Sequence, residues 1–364
     1  MKPYNYLLLP ILTISLLASC SKEENIDSPV SLTLRVAGVS LTRAAIDDAS
    51  DLTSVGIYAV NAETDQQTYG IRPAGIYGKY KPATANGITS LEPENVPTDQ
   101  TIWLNNEKAI IFSCHPAPAN GNSDIKNDPV AGSTTLTDPV PTVPVPVAAI
   151  EYTSSKTAAS NQVDLTQPEN DYMYGVEYKN DTYQENQPYA NNGNNMPNGN
   201  KGPGQTVSIS LKHVFAKLRL VIKKENSYKG TAAVTSVKYT SKIPVLGSKT
   251  RMKLTNGELL DLDNTGSSAT DQSYEYTLTS ATATTDASAT LTITNYAIPC
   301  KETSLSGSIS LTVDGKPMSV ACTNQWERGK IYTYTVTIKP TGLELSGINV
   351  VGWQDAAQIP DTNI

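Results

Sequence analysis

The sequence predicts an all-β protein built as two antiparallel β-sandwich domains in tandem, meeting near residue 205. Three observations carry that expectation. Thr, Ser, Val, Ile and Tyr dominate, with Gly, Pro, Asn and Asp gathered at breaks, the profile of half-buried strands separated by turns. Short runs of alternating apolar and polar residues recur along the chain. No window of a dozen residues beyond the N-terminal apolar segment shows helical periodicity. Tyr occurs 19 times and Phe only 2; a tyrosine ring packs while its hydroxyl stays wet, which suits sheets facing water.

The chain opens with Lys2 and an apolar run from Leu7 to Leu17, then Leu17-Ala18-Ser19-Cys20. A positive start, an apolar stretch and small residues before a cut make a secretory signal over 1–19. The stretch is short of the ~20 residues that span a bilayer. Leu-Ala-Ser-Cys resembles a bacterial lipobox, which implies cleavage before Cys20 and lipid on its sulfur. Ser21-Lys22-Glu23-Glu24-Asn25 reads either as a solvated tether or as the Lys-acidic tag it resembles, which sends some Bacteroidetes lipoproteins to the outer face.

Residues 20–43 then hold the tether and the first strand. Leu32, Leu34 and Val36 point one way and Thr33 and Arg35 the other. Asp47, Asp48, Ser50 and Asp51 make a polar break before a second strand at 54–60. Residues 44–205 form the first domain and are loop-rich. The run 138–147 alternates Pro with Val and Thr, which favours an extended polyproline connector and argues against a central strand. Residues 187–205, rich in Asn, Gly and Pro, bury too little apolar surface to order strongly and read as an exposed loop before the domain boundary. The second domain, 206–364, opens with Val207, Ile209 and Leu211 alternating with serines. Further strands are expected at 236–240, 274–278, 289–294, 308–313 and 331–338, and a candidate terminal segment at 341–364 carries Leu343, Leu345, Ile348, Val350 and Val351. A long apolar edge strand is a hazard unless something covers it.

The net charge is −7 with scattered Lys and Arg, so no basic footprint of a nucleic-acid binder exists. No metal-ligand spacing, nucleophile elbow or phosphate loop occurs, and no cofactor is expected. His213, flanked by Leu211 and Val214, reads as structural, and His115 precedes Pro116 with no obvious partner in the sequence. Asp261-Leu262-Asp263-Asn264 reads as a turn, since it lacks the downstream Glu of a calcium loop. Cys114 sits in the apolar run 109–114 as a small buried residue rather than a nucleophile. Cys300 and Cys322 share the second domain, where an export pathway permits disulfides; whether they bridge depends on geometry that sequence does not supply.

Several motifs share an order. The lipobox, a first strand ending in Leu41-Thr42-Arg43-Ala44, the run Leu211-Lys212-His213-Val214-Phe215-Ala216-Lys217-Leu218, the run Asn324-Gln325-Trp326-Glu327-Arg328-Gly329-Lys330, and Val351-Gly352-Trp353 together resemble the fimbrillins, the FimA- and Mfa-type fimbrial subunits of Bacteroidales. The resemblance runs from about 17 to 355 and is least over 115–205. It is taken to include transthyretin-like sandwiches. It implies a surface lipoprotein precursor held in the outer membrane by its lipid, then cut by an Arg-specific protease between Arg43 and Ala44. Loss of the first strand would open a groove for a strand of a neighbouring subunit, giving a type V pilus that serves adhesion or biofilm formation. The partners implied are other fimbrial subunits, and no enzyme activity is implied. Arg43 follows the strand and precedes two alanines; Arg35 lies inside the strand, and Arg72 precedes Pro73. A tethered strand acts at an effective concentration of order millimolar, so a foreign strand competes only after the link is cut. Leu343, Leu345, Ile348, Val350 and Val351 read either as the donor strand or as the last strand of their own domain. The unmatched Asn- and Pro-rich insertions fit an accessory or tip subunit as well as a stalk subunit. The competing function is a monomeric surface glycan-binding lipoprotein, which needs an exposed aromatic platform; Trp103, Trp326 and Trp353 lie far apart in sequence.

Overall fold

The computed structural model describes residues 28–39, 52–62, 69, 76–85, 88–95, 99–128, 140–158, 161–180, 182–265, 268–285 and 290–353. Strands supply nearly all of its regular structure. Helix among the described residues is confined to short 3-10 turns, Gly121–Asp124, Val147–Ala149 and Pro168–Asn170, and to a 3-10 residue at Ser268. No helix among them is long and apolar enough to cross a membrane.

The first half holds β1 (Val30–Ser31), β2 (Thr33–Val39), β3 (Val55–Asn61), β4 (Ile76–Ala85), β5 (Ile88–Pro93), β6 (Trp103–Leu104) and β7 (Ala109–His115). Then come β8 (Lys126–Asp128), β9 (Val140–Pro144), β10 (Thr153–Thr157), β11 (Gln162–Asp164), β12 (Met173–Lys179), β13 (Thr182–Tyr183), β14 (Tyr189–Ala190) and β15 (Thr206–His213). Seven of these close into a barrel. The order β12-β15-β2-β5-β4-β3-β7 returns to its start because β7 also pairs with β12, through Met173↔His115 and Tyr174↔Cys114. Closure removes the edges an open sheet would expose. The approach is close: a Cβ on Gly175 would stand 1.6 Å from Ser113 Oγ. Inside lies one apolar core, with Leu34, Val55, Ile57, Tyr80, Ile102, Ile111, Met173, Ile209 and Leu211 all 1 % exposed or less.

The second half continues with β16 (Ala216–Lys224), β17 (Val234–Ser241), β18 (Arg251–Lys253), β19 (Leu259–Leu260), β20 (Gln272–Thr279), β21 (Leu291–Ala297), β22 (Cys300–Val313), β23 (Lys316–Trp326), β24 (Lys330–Lys339) and β25 (Gly342–Gly352). Two five-stranded sheets, β10-β20-β17-β22-β23 and β11-β21-β16-β24-β25, face each other. Their alternation follows the sequence: Tyr332, Tyr334, Val336 and Ile338 of β24 are buried and the threonines between them half-buried. Side chains bridge the layers, with Trp326 Nε1 donating to Tyr334 Oη at 2.9 Å and Asn295 Nδ2 to Tyr276 Oη at 2.6 Å. The outer face of the barrel strands, through Tyr58, Phe112, Cys114, Tyr174 and Val176, joins this second core.

Four features differ from expectation. The first half is a closed barrel, not an open sandwich. The sheets are mixed, with β2–β15, β16–β24, β10–β20 and β11–β21 parallel; alternation reports which face a residue takes, not which way its partner runs. The sheets do not divide at residue 205, because β15 lies inside the barrel, while β10 and β11 from the first half are outer strands of the sandwich sheets. The proline-rich run is a strand after all: β9 lies between β8 and β18. Its prolines cannot donate, but Pro141 accepts from Leu254 N at 2.8 Å, and Thr142 receives Arg251 Nε on its hydroxyl and Nη2 on its carbonyl. Three residue pairs on each side ask little of the missing N–H groups.

Candidate functional site

The first strand is where the chain departs most from an ordinary sheet. Leu32, Leu34 and Val36 are 5, 1 and 9 % exposed and point into the barrel, while Thr33 and Arg35 face out. Strand β2 is an inner stave. It runs parallel to β15 from Thr33↔Thr206 to Val39↔Leu211 and antiparallel to β5 through Leu34↔Leu91 and Arg35↔Ser90. Removing it would therefore break the ring between β15 and β5 and uncover the barrel core. Three buried aliphatic side chains contribute about 1.5–3 kcal/mol each to keeping it there. Cys20, Arg43, Ala44 and Arg72 lie outside the described residues.

The C-terminal candidates sit on β25, at the edge of its sheet and in a hairpin with β24. Leu343, Leu345 and Val351 are half-buried, whereas Ile348 and Val350 are 40 and 44 % exposed although they share the face of buried Tyr334 and Tyr332. In this structure the segment is the last strand of its own sheet, and its outer side pairs with no other strand among the described residues.

That strand ends in a socket which gathers the three sequence motifs of the second half. Trp353 is fully buried and stacks on His213, with ring centroids 3.8 Å apart and planes 4° apart. Lys217 places its Nζ 5.7 Å from the Trp353 ring. Backbone bonds tie the motifs together, Trp353 N to the Gly329 carbonyl at 2.7 Å and Gly329 N to the Phe215 carbonyl at 2.9 Å. Below lies a buried carboxylate. His213 Nδ1 donates to Asp171 Oδ1 at 2.8 Å, and His115 Nδ1 donates to the Asp171 backbone carbonyl at 2.9 Å. Both histidines of the chain thus meet at Asp171, where barrel and sandwich join. Asp171 carried no sequence signal, since it lies in an irregular stretch before β12.

Burial pushes the His115 imidazole below its ordinary 6.5; contacts with Asp171 and Glu169 oppose this, and His213 adds to it. The neutral ring, protonated on Nδ1, leaves Nε2 to accept from Thr53 Oγ1 at 3.3 Å. The unfolded chain then binds more protons than the folded chain between the depressed value and 6.5, so stability is full above about pH 6.5 and falls as pH drops below it. Denaturant midpoints at pH 7.5 and 5.5 should differ for the native chain, and His115→Asn should shrink that difference.

Cys300 and Cys322 lie on adjacent strands, both buried, but Cys300 stands opposite Trp326 and Cys322 opposite Gly307, and no disulfide joins them. The conditional bridge fails on register. Cys114 is buried at 1 % exposure, and burial pushes its thiol up to about 12, which makes it inert as a nucleophile. Among the described residues no group of three or more His, Cys, Asp or Glu could hold a metal ion. Trp326 and Trp353 are fully buried and Trp103 is 52 % exposed, so the three tryptophans form no common platform.

Comparison with known proteins adds the family. Residues 42–353 match the fimbrillin-like family. The chain belongs to it. Among solved structures, a protein of Bacteroides uniformis provisionally described as a cell adhesion protein aligns over 90 % of this fimbrillin and 98 % of its own chain, at 16 % identity and a TM-score of 0.50. A Bacteroides ovatus protein of the same description aligns over 90 and 98 %, at 12 % identity and 0.50. A fimbrial assembly protein of Parabacteroides distasonis aligns over 90 and 97 %, at 11 % identity and 0.45. At these identities the first two likenesses speak for the fold alone. No curated protein matches the chain. The family is one of structural fimbrial and adhesion proteins of the cell surface, not of enzymes, and this fimbrillin takes its place among them.

Proposed function

We propose that this fimbrillin is the lipid-anchored precursor of a fimbrial subunit, assembled by proteolysis-triggered strand exchange and serving adhesion or biofilm formation. Lipid on Cys20 holds the precursor at the outer membrane. An Arg-specific protease cuts between Arg43 and Ala44 and releases the strand bearing Leu32, Leu34 and Val36. The emptied groove between β15 and β5 takes a strand from another fimbrial subunit, with Leu343, Leu345, Ile348, Val350 and Val351 as the donor face. The sandwich of the sheets β10-β20-β17-β22-β23 and β11-β21-β16-β24-β25 is of the transthyretin-like kind.

The observation that supports this reading is the place of β2. It is an inner stave of a closed barrel, covalently joined through a short link to a candidate cut site, so one cleavage converts a closed monomer into an acceptor. The replacing strand regains two rows of main-chain hydrogen bonds and buries alternate side chains. Treating the precursor with an Arg-specific protease and sequencing the new N-terminus tests the processing step. A start at Ala44, abolished in Arg43→Ala, is expected; an intact 40–46 stretch would refute it.

A further inference from the structure

The asparagine-rich stretch 187–205 is the part of the chain whose composition promises least order, yet it is built around two buried amides. Asn191 is fully buried and Asn192 is 6 % exposed. Asn191 closes the loop on itself. Its Oδ1 accepts from Gly193 N at 2.9 Å and Gly204 N at 3.1 Å, and its Nδ2 donates to the Asn194 carbonyl at 3.0 Å. Its own N–H donates to the Gly204 carbonyl at 2.8 Å. Gly202 lies against this amide, where a Cβ would stand 1.7 Å from Asn191 Nδ2. Asn192 N–H fastens the loop to the barrel by donating to the Asn105 carbonyl at 2.8 Å. Order here comes from polar bonds, not from apolar burial.

From that base the loop reaches the segment leading into the first strand. Asn192 Nδ2 donates to the Ser28 carbonyl at 3.2 Å, and the Gln205 carbonyl accepts from Thr33 N at 2.9 Å. These contacts bracket residues 28–33, whose pairing with the segment 102–104 runs through Val30↔Leu104, Ser31↔Trp103 and Leu32 N to the Ile102 carbonyl at 2.8 Å.

We infer that the loop from Asn191 to Gln205 is a clasp in which Asn192 fixes the register of whichever strand occupies the β15–β5 groove. This rests on the strand-replacement reading above. Register matters because a slip of one residue would turn Leu32, Leu34 and Val36 out of the barrel. The clasp reads main-chain atoms, a carbonyl opposite Asn192 and an N–H opposite Gln205, so it serves the native strand and its replacement alike. Asn192 is a positioning residue; side-chain preference belongs to the barrel core.

The test uses the precursor and its Asn192→Ala, Asn192→Asp and Asn198→Ala variants. After cleavage by an Arg-specific protease, release of the N-terminal fragment is timed, and amide exchange at Thr33 and Leu34 is measured in the uncut chains. Losing one neutral hydrogen bond should speed release about three- to tenfold in Asn192→Ala. Asn192→Asp keeps the shape but cannot donate, and should release at least as fast. Asn198, whose Oδ1 accepts from Asn200 N within the loop, should leave release unchanged. Equal release and equal exchange in all four chains would overturn the clasp, as would a general loss of stability in Asn192→Ala without faster release or exchange. If the protease does not cut at Arg43, amide exchange in the uncut chain still decides the clasp, and the failure belongs to the processing reading.

Discussion

Trp353→Ala destabilises the chain by about 3–5 kcal/mol. The ring is fully buried, stacked on His213 and 5.9 Å from the Tyr296 ring. Its loss also uncovers His213 beside the Asp171 carboxylate, a polar pair whose shielding the indole supplies. The effect should be local as well as global. Strand β25 is held along one side by β24 and at its end by this socket, so exchange at 347–352 should rise before the rest of the sandwich opens. Trp353→Phe keeps a stacked ring and should lose less. A denaturant midpoint close to that of the native chain in Trp353→Ala would show that the socket does not anchor the last strand.

Leu34→Asp opens the barrel. Leu34 is 1 % exposed among Leu91, Val207 and Ile209, and an unpaired carboxylate there costs several kcal/mol or forces the stave out. Leu34→Ala should cost about 2–5 kcal/mol through the cavity it leaves. Thr33→Ala, on the outer face of the same strand, should stay within about 0.5 kcal/mol. Proteolysis of the uncut precursor gives the readout: in Leu34→Asp the barrel strands β3, β5 and β15 become cleavable while sandwich fragments persist. Equal protection of the barrel in the native chain and Leu34→Asp would mean that β2 does not close it.

Much of this was legible in residues. Alternation at Leu32, Leu34 and Val36, and at Tyr332 to Ile338, assigns the buried face correctly, and the strand at all of these but Leu32, which lies between β1 and β2, because period two depends only on the pleat. The order of motifs gives the family, although their purpose is visible only in space. His213, Gly329 and Trp353 are distant in sequence and meet in one socket. Closure of the barrel through His115 and Met173 is a long-range pairing that leaves no local mark. The proline run and the asparagine loop mislead for a shared reason: their order rests on specific hydrogen bonds to Pro141, Thr142, Asn191 and Asn192, which composition does not count. Cys300 and Cys322 fall on neighbouring strands but miss each other in register.

The central claim is that cutting one link turns a closed barrel into an acceptor for another subunit's strand. Running the protease-treated and untreated precursor side by side, unboiled, on a denaturing gel tests it most directly. A ladder of resistant oligomers that appears only after the cut, and collapses to monomer on boiling, is the predicted result. A single monomer band in both lanes, from a chain shown to begin at Ala44, would contradict self-assembly by strand exchange.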